Sequence, residues 1–134
     1  MKDIIFDDFQ NSVNECLIRH RSILDILTKL QESEARINRS VCKSVTSCGC
    51  LKIDATKQLE KDPKQDVNLD TLKDLVSSHL EGKPCKQCQD IIESEIGNHL
   101  FYLTCLCNLL DINVYDVLLH ENNKLLTLGK YTLR

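Results

Sequence analysis

Apolar residues recur along most of this chain at three- and four-residue steps, the period of an α-helix buried along one side. The clearest run is Ile92, Ile96, His99, Leu103, Leu106 and Leu110, widened by Ile91, Leu100, Cys107 and Leu109. A stripe that wide predicts a central helix, entered at Cys85-Lys86-Gln87-Cys88 and buried on more than one side. Glu95 and Asn98 interrupt it three residues apart, and therefore on one face. Upstream, Phe6, Phe9, Val13, Cys16, Leu17 and His20 predict a first helix over residues 7–20. Ser22 followed by Asp25 reads as an N-cap, starting a second helix at Ile23 with the stripe Ile23, Ile26, Leu27, Leu30, Ile37, Val41 and Val45. No proline or glycine separates these two segments, so one continuous helix is the alternative.

The second helix should stop before Cys48-Gly49-Cys50, where Gly49 permits a turn. Residues 51–66 are polar, carry Pro63 and a charged run, and read as a loop. Asn68 should cap a short helix burying Leu69, Leu72, Leu75, Val76 and Leu80, stopped by Gly82 and kept from resuming by Pro84. Asn113, with Asp116 three residues on, should cap a last helix whose apolar face is Val114, Val117, Leu118 and Leu125; residues 129–134 read as a tail.

This pattern predicts an all-α protein of about four to five helices in a single domain, 1–134. Composition adds little except through cysteine. The net charge of −3 gives no basic footprint for nucleic acid. No apolar run is long enough to suggest a membrane span or a signal peptide, so the expected compartment is the cytoplasm. Eight cysteines in a reducing compartment point to thiols, metal ligands or redox chemistry rather than a disulfide framework.

The cysteines divide by context. Cys48-Gly49-Cys50 and Cys85-Lys86-Gln87-Cys88 are short pairs at turns, the arrangement that supplies two thiolates each to a tetrahedral structural zinc. The second pair has ordinary knuckle spacing and the first is one residue tighter. Alternatives are a redox pair at Cys85 and Cys88, or unligated thiols; His79 or Cys42 could replace one sulfur. Cys16, Cys105 and Cys107 fall within apolar helices and should pack as small apolar groups.

Two stretches together resemble the MazG-like all-α nucleotide pyrophosphohydrolases. Lys29-Leu30-Gln31-Glu32-Ser33-Glu34-Ala35-Arg36-Ile37-Asn38-Arg39 is similar to the first helix motif of that family, and Glu95-Ile96-Gly97-Asn98-His99-Leu100-Phe101-Tyr102-Leu103 to the second. Residues 109–118 resemble the turn into its last helix; the cysteine knuckles, about 47–88, would be an insertion. In that family the motifs Glu-Glu-x-x-Glu and Glu-x-x-Asp gather magnesium, which holds a triphosphate and activates water. Here Glu32 and Glu95 match, while Ser33, Arg36 and Asn98 stand where acids are expected; a shifted register would use Glu34.

The resemblance thus implies a remnant magnesium and nucleotide site at Glu32, Glu34, Arg36, Glu95 and Asn98, with weakened hold on the ion. It also implies a homo-oligomer, a dimer or tetramer. The leading expectation is a nucleotide-binding or protein-interaction module with a structural zinc. The alternatives are an active nucleoside triphosphate pyrophosphohydrolase and a zinc-dependent regulatory or adaptor protein.

Overall fold

The computed structural model describes residues 2–58 and 68–134, with side chains from Ile4 onward. Within them the chain is mostly helical. Helix α1 spans Lys2–Cys16, α2 Ile23–Lys43, α3 Leu69–Leu75, α4 Lys86–Leu109 and α5 Val114–Leu128. Two short strands, β1 (Leu51–Ile53) and β2 (Leu80–Gly82), pair antiparallel with Leu51 opposite Gly82 and Ile53 opposite Leu80. The expected α architecture is present, and this short hairpin is what the described residues add to it. Of the segment read as the loop 51–66, the first three residues are strand, and residues 59–67 lie outside the described residues.

The caps explain where helices begin. Ser22, Asn68 and Asn113 each accept a hydrogen bond from a backbone N–H of the first turn, at Leu24, at Asp70 and Thr71, and at Asp116. Helix α1 begins and ends earlier than the stripe suggested, and residues 17–22 break it from α2, so the two do not form one helix. Leu17 still packs in the core, and its carbonyl accepts from the Arg21 guanidinium. Helix α3 stops at Leu75; Leu80, expected on its buried face, lies in β2 and is half exposed. The 129–134 tail contains a single 3₁₀ turn, Gly129–Thr132.

The backbone of the fold is the pair α2 and α4, which run antiparallel. Ile26 meets Cys105 near one end and Ser33 meets His99 in the middle. At the other end Lys43 and Ser44 share a groove with Cys88. Ser33 is fully buried; its hydroxyl lies 2.8 Å from His99 Nδ1 and donates to the Leu30 carbonyl, so burial leaves no bond unmade. Helix α1 crosses the open end of this pair, where Val13, Leu17, Ile26 and Cys105 form the core with Phe101, Tyr102 and Leu106 against them. Gln10 ties three helices together. Its carbonyl accepts from Asn108, its amide nitrogen donates to the Ile112 carbonyl, and its amide oxygen caps the Val114 N–H.

That core is small. Among the described residues, the buried apolar ones are Val13, Leu17, Ile26, Leu51 and Cys105. The expectation that α4 is buried on several sides is therefore corrected for the single chain. Ile96, Leu100 and Leu103 are each more than 40% exposed, because α2 and α1 cover only two strips of the helix. Cys105 packs in the core as expected and Cys107 is half buried, but Cys16, the last residue of α1, is exposed.

Candidate metal centre

The hairpin closes the far end of the α2–α4 pair and brings the two cysteine knuckles together. After α2 the chain makes a wide π turn, Ser44–Cys48, which adds a residue per turn and re-aims the backbone beyond it. Gly49 then takes a left-handed conformation (φ +80°), and its N–H donates to the Ser44 carbonyl at 2.9 Å. Cys48 and Cys50 leave this turn on either side of Gly49. In β2, Gly82 is also left-handed (φ +83°), and a Cβ there would stand 2.7 Å from the Cys50 carbonyl oxygen. Only glycine lets the second strand lie that close to the first knuckle. Cys85 caps α4, accepting from the Cys88 N–H at 3.4 Å, and Cys88 lies one turn into the helix.

The sulfurs of Cys48, Cys50, Cys85 and Cys88 all lie within 4.8 Å of one another, and Cys48 to Cys85 is 3.8 Å. A zinc ion with bonds of about 2.3 Å to four thiolates requires sulfur–sulfur edges of about 3.8 Å. The cluster therefore fits a tetrahedral ion with small contraction. Cys42 and His79, the possible substitutes, stand outside it. No disulfide joins these residues.

Crowding splits the thiols. The Cys88 backbone N–H beside its sulfur, helped by the neighbouring thiols, brings Cys85 down to about 7. Cys88 is pushed up to about 12: contact with Ser44 pulls it down, but Cys85, burial, Cys50 and Cys48 outweigh that. Metal-free, the cluster gives up the Cys85 proton readily, while Cys48 and Cys88 resist losing theirs. A divalent cation is the group that lets all four sulfurs ionise together.

A groove of about 910 Å³ runs from this centre between α2 and α4. Cys48, Cys88 and Ser47 line one end, Gln87, Ile91, Ser40, Arg39 and Lys43 the middle, and Arg36, Glu32 and Glu95 the other end. Beyond it a cleft of about 340 Å³ is lined by Lys29, Glu32, Ser33, Arg36, Ser94, Glu95, Asn98 and Tyr102. Four of the residues expected at the remnant nucleotide site thus meet in one place: Glu32, Arg36, Glu95 and Asn98. Glu34 lines neither space; two residues from Glu32, it shares the α2 face of Leu27, Leu30, Ile37 and Val41.

Both Glu32 oxygens have cationic partners, Oε2 with Lys29 at 3.3 Å and Oε1 with Arg36 at 3.4 Å, and Lys29 first, then Arg36, hold its carboxyl below the usual range. Arg39 and Lys43 have no carboxylate partner among the described residues. The apolar stripes do not single them out, although Arg36, Arg39 and Lys43 stand at helical steps and can be read as one basic edge.

The site and fold together define a mostly helical chain with a four-cysteine, metal-competent centre at one end of a helix pair. No known protein family, no curated protein and no solved structure matches the chain.

Proposed function

We propose that the chain is a MazG-like helical module in which a structural zinc on Cys48, Cys50, Cys85 and Cys88 locks the ends of α2 and α4, and in which the groove between them holds a nucleotide without hydrolysing it. The observation that carries this reading is the continuity of the groove, which runs from the sulfur cluster past Arg39 and Lys43 to the cleft of Glu32, Arg36, Glu95 and Asn98. Zinc supplies no reaction here; four protein thiolates fill its shell and leave no position for water. The guanidinium groups of Arg36 and Arg39 suit phosphate oxygens, Lys43 adds charge, and Ile91 and Ala35 give a base or sugar an apolar wall.

Magnesium-dependent hydrolysis asks for several acids around a hard ion. With Glu32 engaged by two cations and Glu34 on another face, Glu95 is the one uncommitted carboxylate in the cleft among the described residues. The test is calorimetric titration of the metal-loaded protein with ribo- and deoxyribonucleoside triphosphates, with and without magnesium, alongside a pyrophosphate-release assay. Binding that does not require magnesium, with no turnover, is the expected result. Turnover near ~1 per second, in the ordinary enzyme range and abolished by Glu95→Gln, would replace this reading with that of an active pyrophosphohydrolase. No nucleotide binding would leave the zinc-dependent adaptor.

A further inference from the structure

The net charge of −3 is the sum of two unlike parts. Residues 35–53 carry Arg36, Arg39, Lys43 and Lys52 and no acid; residues 82–89 carry Lys83 and Lys86 and no acid. The rest of the chain holds eleven cations against twenty acids. The two basic stretches are far apart in sequence but one place in the fold, because each carries half of the sulfur cluster. Lys52 is two residues from Cys50, Lys83 two from Cys85 and Lys86 one. Each therefore has its α-carbon within about 7 Å of that of a cluster cysteine. Arg39 and Lys43 line the same groove as Cys48 and Cys88.

Most of these cations are uncommitted. Arg36 is held by Glu32, and Lys86 by Asp90 at 2.9 Å. Arg39, Lys43, Lys52 and Lys83 are exposed and have no carboxylate partner among the described residues. Glu81 stands opposite Lys52 in the hairpin but closes no ion pair with it. The plain role for such charge is to offset the metal centre. A zinc ion on four thiolates carries about −2, which two cations balance, and four of the six remain. A basic end on an otherwise acidic chain attracts a polyanion.

The shape and composition of this end select among polyanions. Arg39 and Lys43 are one turn apart on α2, about 6 Å along its axis, and the knuckle lysines carry the charge past the end of that helix. Such a stripe suits a linear backbone. Residues 35–53 and 82–89 contain no Phe, Tyr or Trp, so the surface lacks the platform on which unpaired bases stack. It can neutralise phosphates without reading bases, and a duplex offers them densely, about one charge per 1.7 Å of axis.

We propose that the cysteine end of this chain binds double-stranded nucleic acid through its phosphates, with Lys52 and Lys83 beside the metal centre and Arg39 and Lys43 along α2 as the contacts. The proposal rests on the metal centre, which holds the two basic stretches together. It does not rest on a nucleotide in the groove, which Lys52 and Lys83 do not line.

The test is fluorescence anisotropy of the full, zinc-loaded chain with short labelled DNA and RNA duplexes and the matching single strands, over a range of salt. Four contacts give a log–log salt slope of about −3.6, a loss of roughly 150-fold from about 50 to about 200 mM salt. Binding of either duplex supports the proposal, and the tighter one names the source. Lys52→Ala with Lys83→Ala should make the slope shallower by about 1.8 and leave nucleotide titration unchanged, so failure at the groove and failure at this surface are separate results. Arg39→Ala with Lys43→Ala repeats the measurement away from the cluster cysteines and should flatten the slope equally. Lys52→Arg with Lys83→Arg, which keeps both charges, should retain the wild-type slope, as should Lys124→Ala on α5. No duplex binding at low salt, a slope that neither double-alanine variant changes, tighter binding of the single strands, or equal competition by polyglutamate at the same charge concentration would overturn the proposal.

Discussion

The two sides of the α2–α4 pair differ by a shift of one residue. Residues preceding the contact positions line the groove: Glu32 before Ser33, Arg39 before Ser40, Lys43 before Ser44, Asn98 before His99. Residues just after them form the apolar face: Leu27 after Ile26, Leu100 after His99, Leu103 after Tyr102. One side is basic, polar and capped by the sulfur cluster. The other is aliphatic and uninterrupted except at Glu34. A helix has room for one contact strip and a flank on either side, so a pair of antiparallel helices can carry two surfaces of opposite chemistry at no cost to its own packing. The contact strip itself is thin. Its buried members include Ser33 and Ser44 as well as Ile26, so the pair depends on what is added at its ends and flanks.

The largest expected effect comes from the metal. Structural zinc sites contribute roughly 10–16 kcal/mol in small peptide hosts that have no other core; here the loss should fall on the cysteine end of the α2–α4 pair, away from the core of Val13, Leu17, Ile26 and Cys105. Chelation, or Cys85→Ser, should release close to one zinc per chain and loosen the backbone from Ser44 to Cys88, read as accelerated amide exchange there. If the two flanks are separate devices, nucleotide binding is lost while the assembly mass is unchanged. Since protons compete with the metal for the thiols and Cys88 holds its proton up to about 12, zinc affinity should fall steadily as pH is lowered from 8 to 5. Full zinc occupancy in a variant with all four cysteines replaced by serine would rule out the four-sulfur metal centre.

Next comes the contact strip. Ile26 is wholly buried in the core, and Ile26→Ala should cost about 2–5 kcal/mol in denaturant unfolding. Its neighbour Leu27 reports on the flank instead. Leu27→Ala should cost little if the face meets only water, and about 2 kcal/mol or more if it is buried against a second copy.

A smaller loss is expected at Ser33. Replacing it with Ala leaves His99 without its 2.8 Å partner inside the pair, costing about 1–2 kcal/mol. The groove should respond least in stability. Arg39→Ala with Lys43→Ala removes like charges spaced one turn apart on α2, so melting should move by less than ~0.5 kcal/mol, in either direction. The same double variant should weaken nucleotide binding about tenfold or more, each lost charge-assisted bond being worth about 1.5–3 kcal/mol. Unchanged binding in that variant would place the ligand elsewhere.

Some of this architecture could be read from the residues alone. The three N-caps, Ser22, Asn68 and Asn113, were legible because capping is a local exchange between one side chain and the next turn. The grouping of Cys48, Cys50, Cys85 and Cys88 was legible because two short pairs at turns are the usual way a chain brings four thiolates to one ion. The hairpin was not. Its strands are three residues each, lie in polar surroundings, and are made by hydrogen bonds between Leu51–Ile53 and Leu80–Gly82, partners that no local pattern links. The end of α1 could not be placed because the stripe through Val13 and Leu17 continues past the helix, and a core contact needs no helical backbone to reach it.

Periodicity and capping, interactions that span a few residues, were enough to say which segments are helical, where most of them start, and which sulfurs belong together. What each helix face meets was settled by docking. Docking put Glu34 on the apolar side and Glu32 on the groove side, turned Arg39 and Lys43 toward the same space as Cys48 and Cys88, and left Leu100 and Leu103 uncovered. The physical reason is that a helical stripe fixes the angles between residues around one axis but not the angle at which that axis is docked. A rotation of one residue's width exchanges the two flanks, and that rotation is set by distant contacts: Ile26 on Cys105, Ser33 on His99, and the knuckle of Cys48 on Cys85.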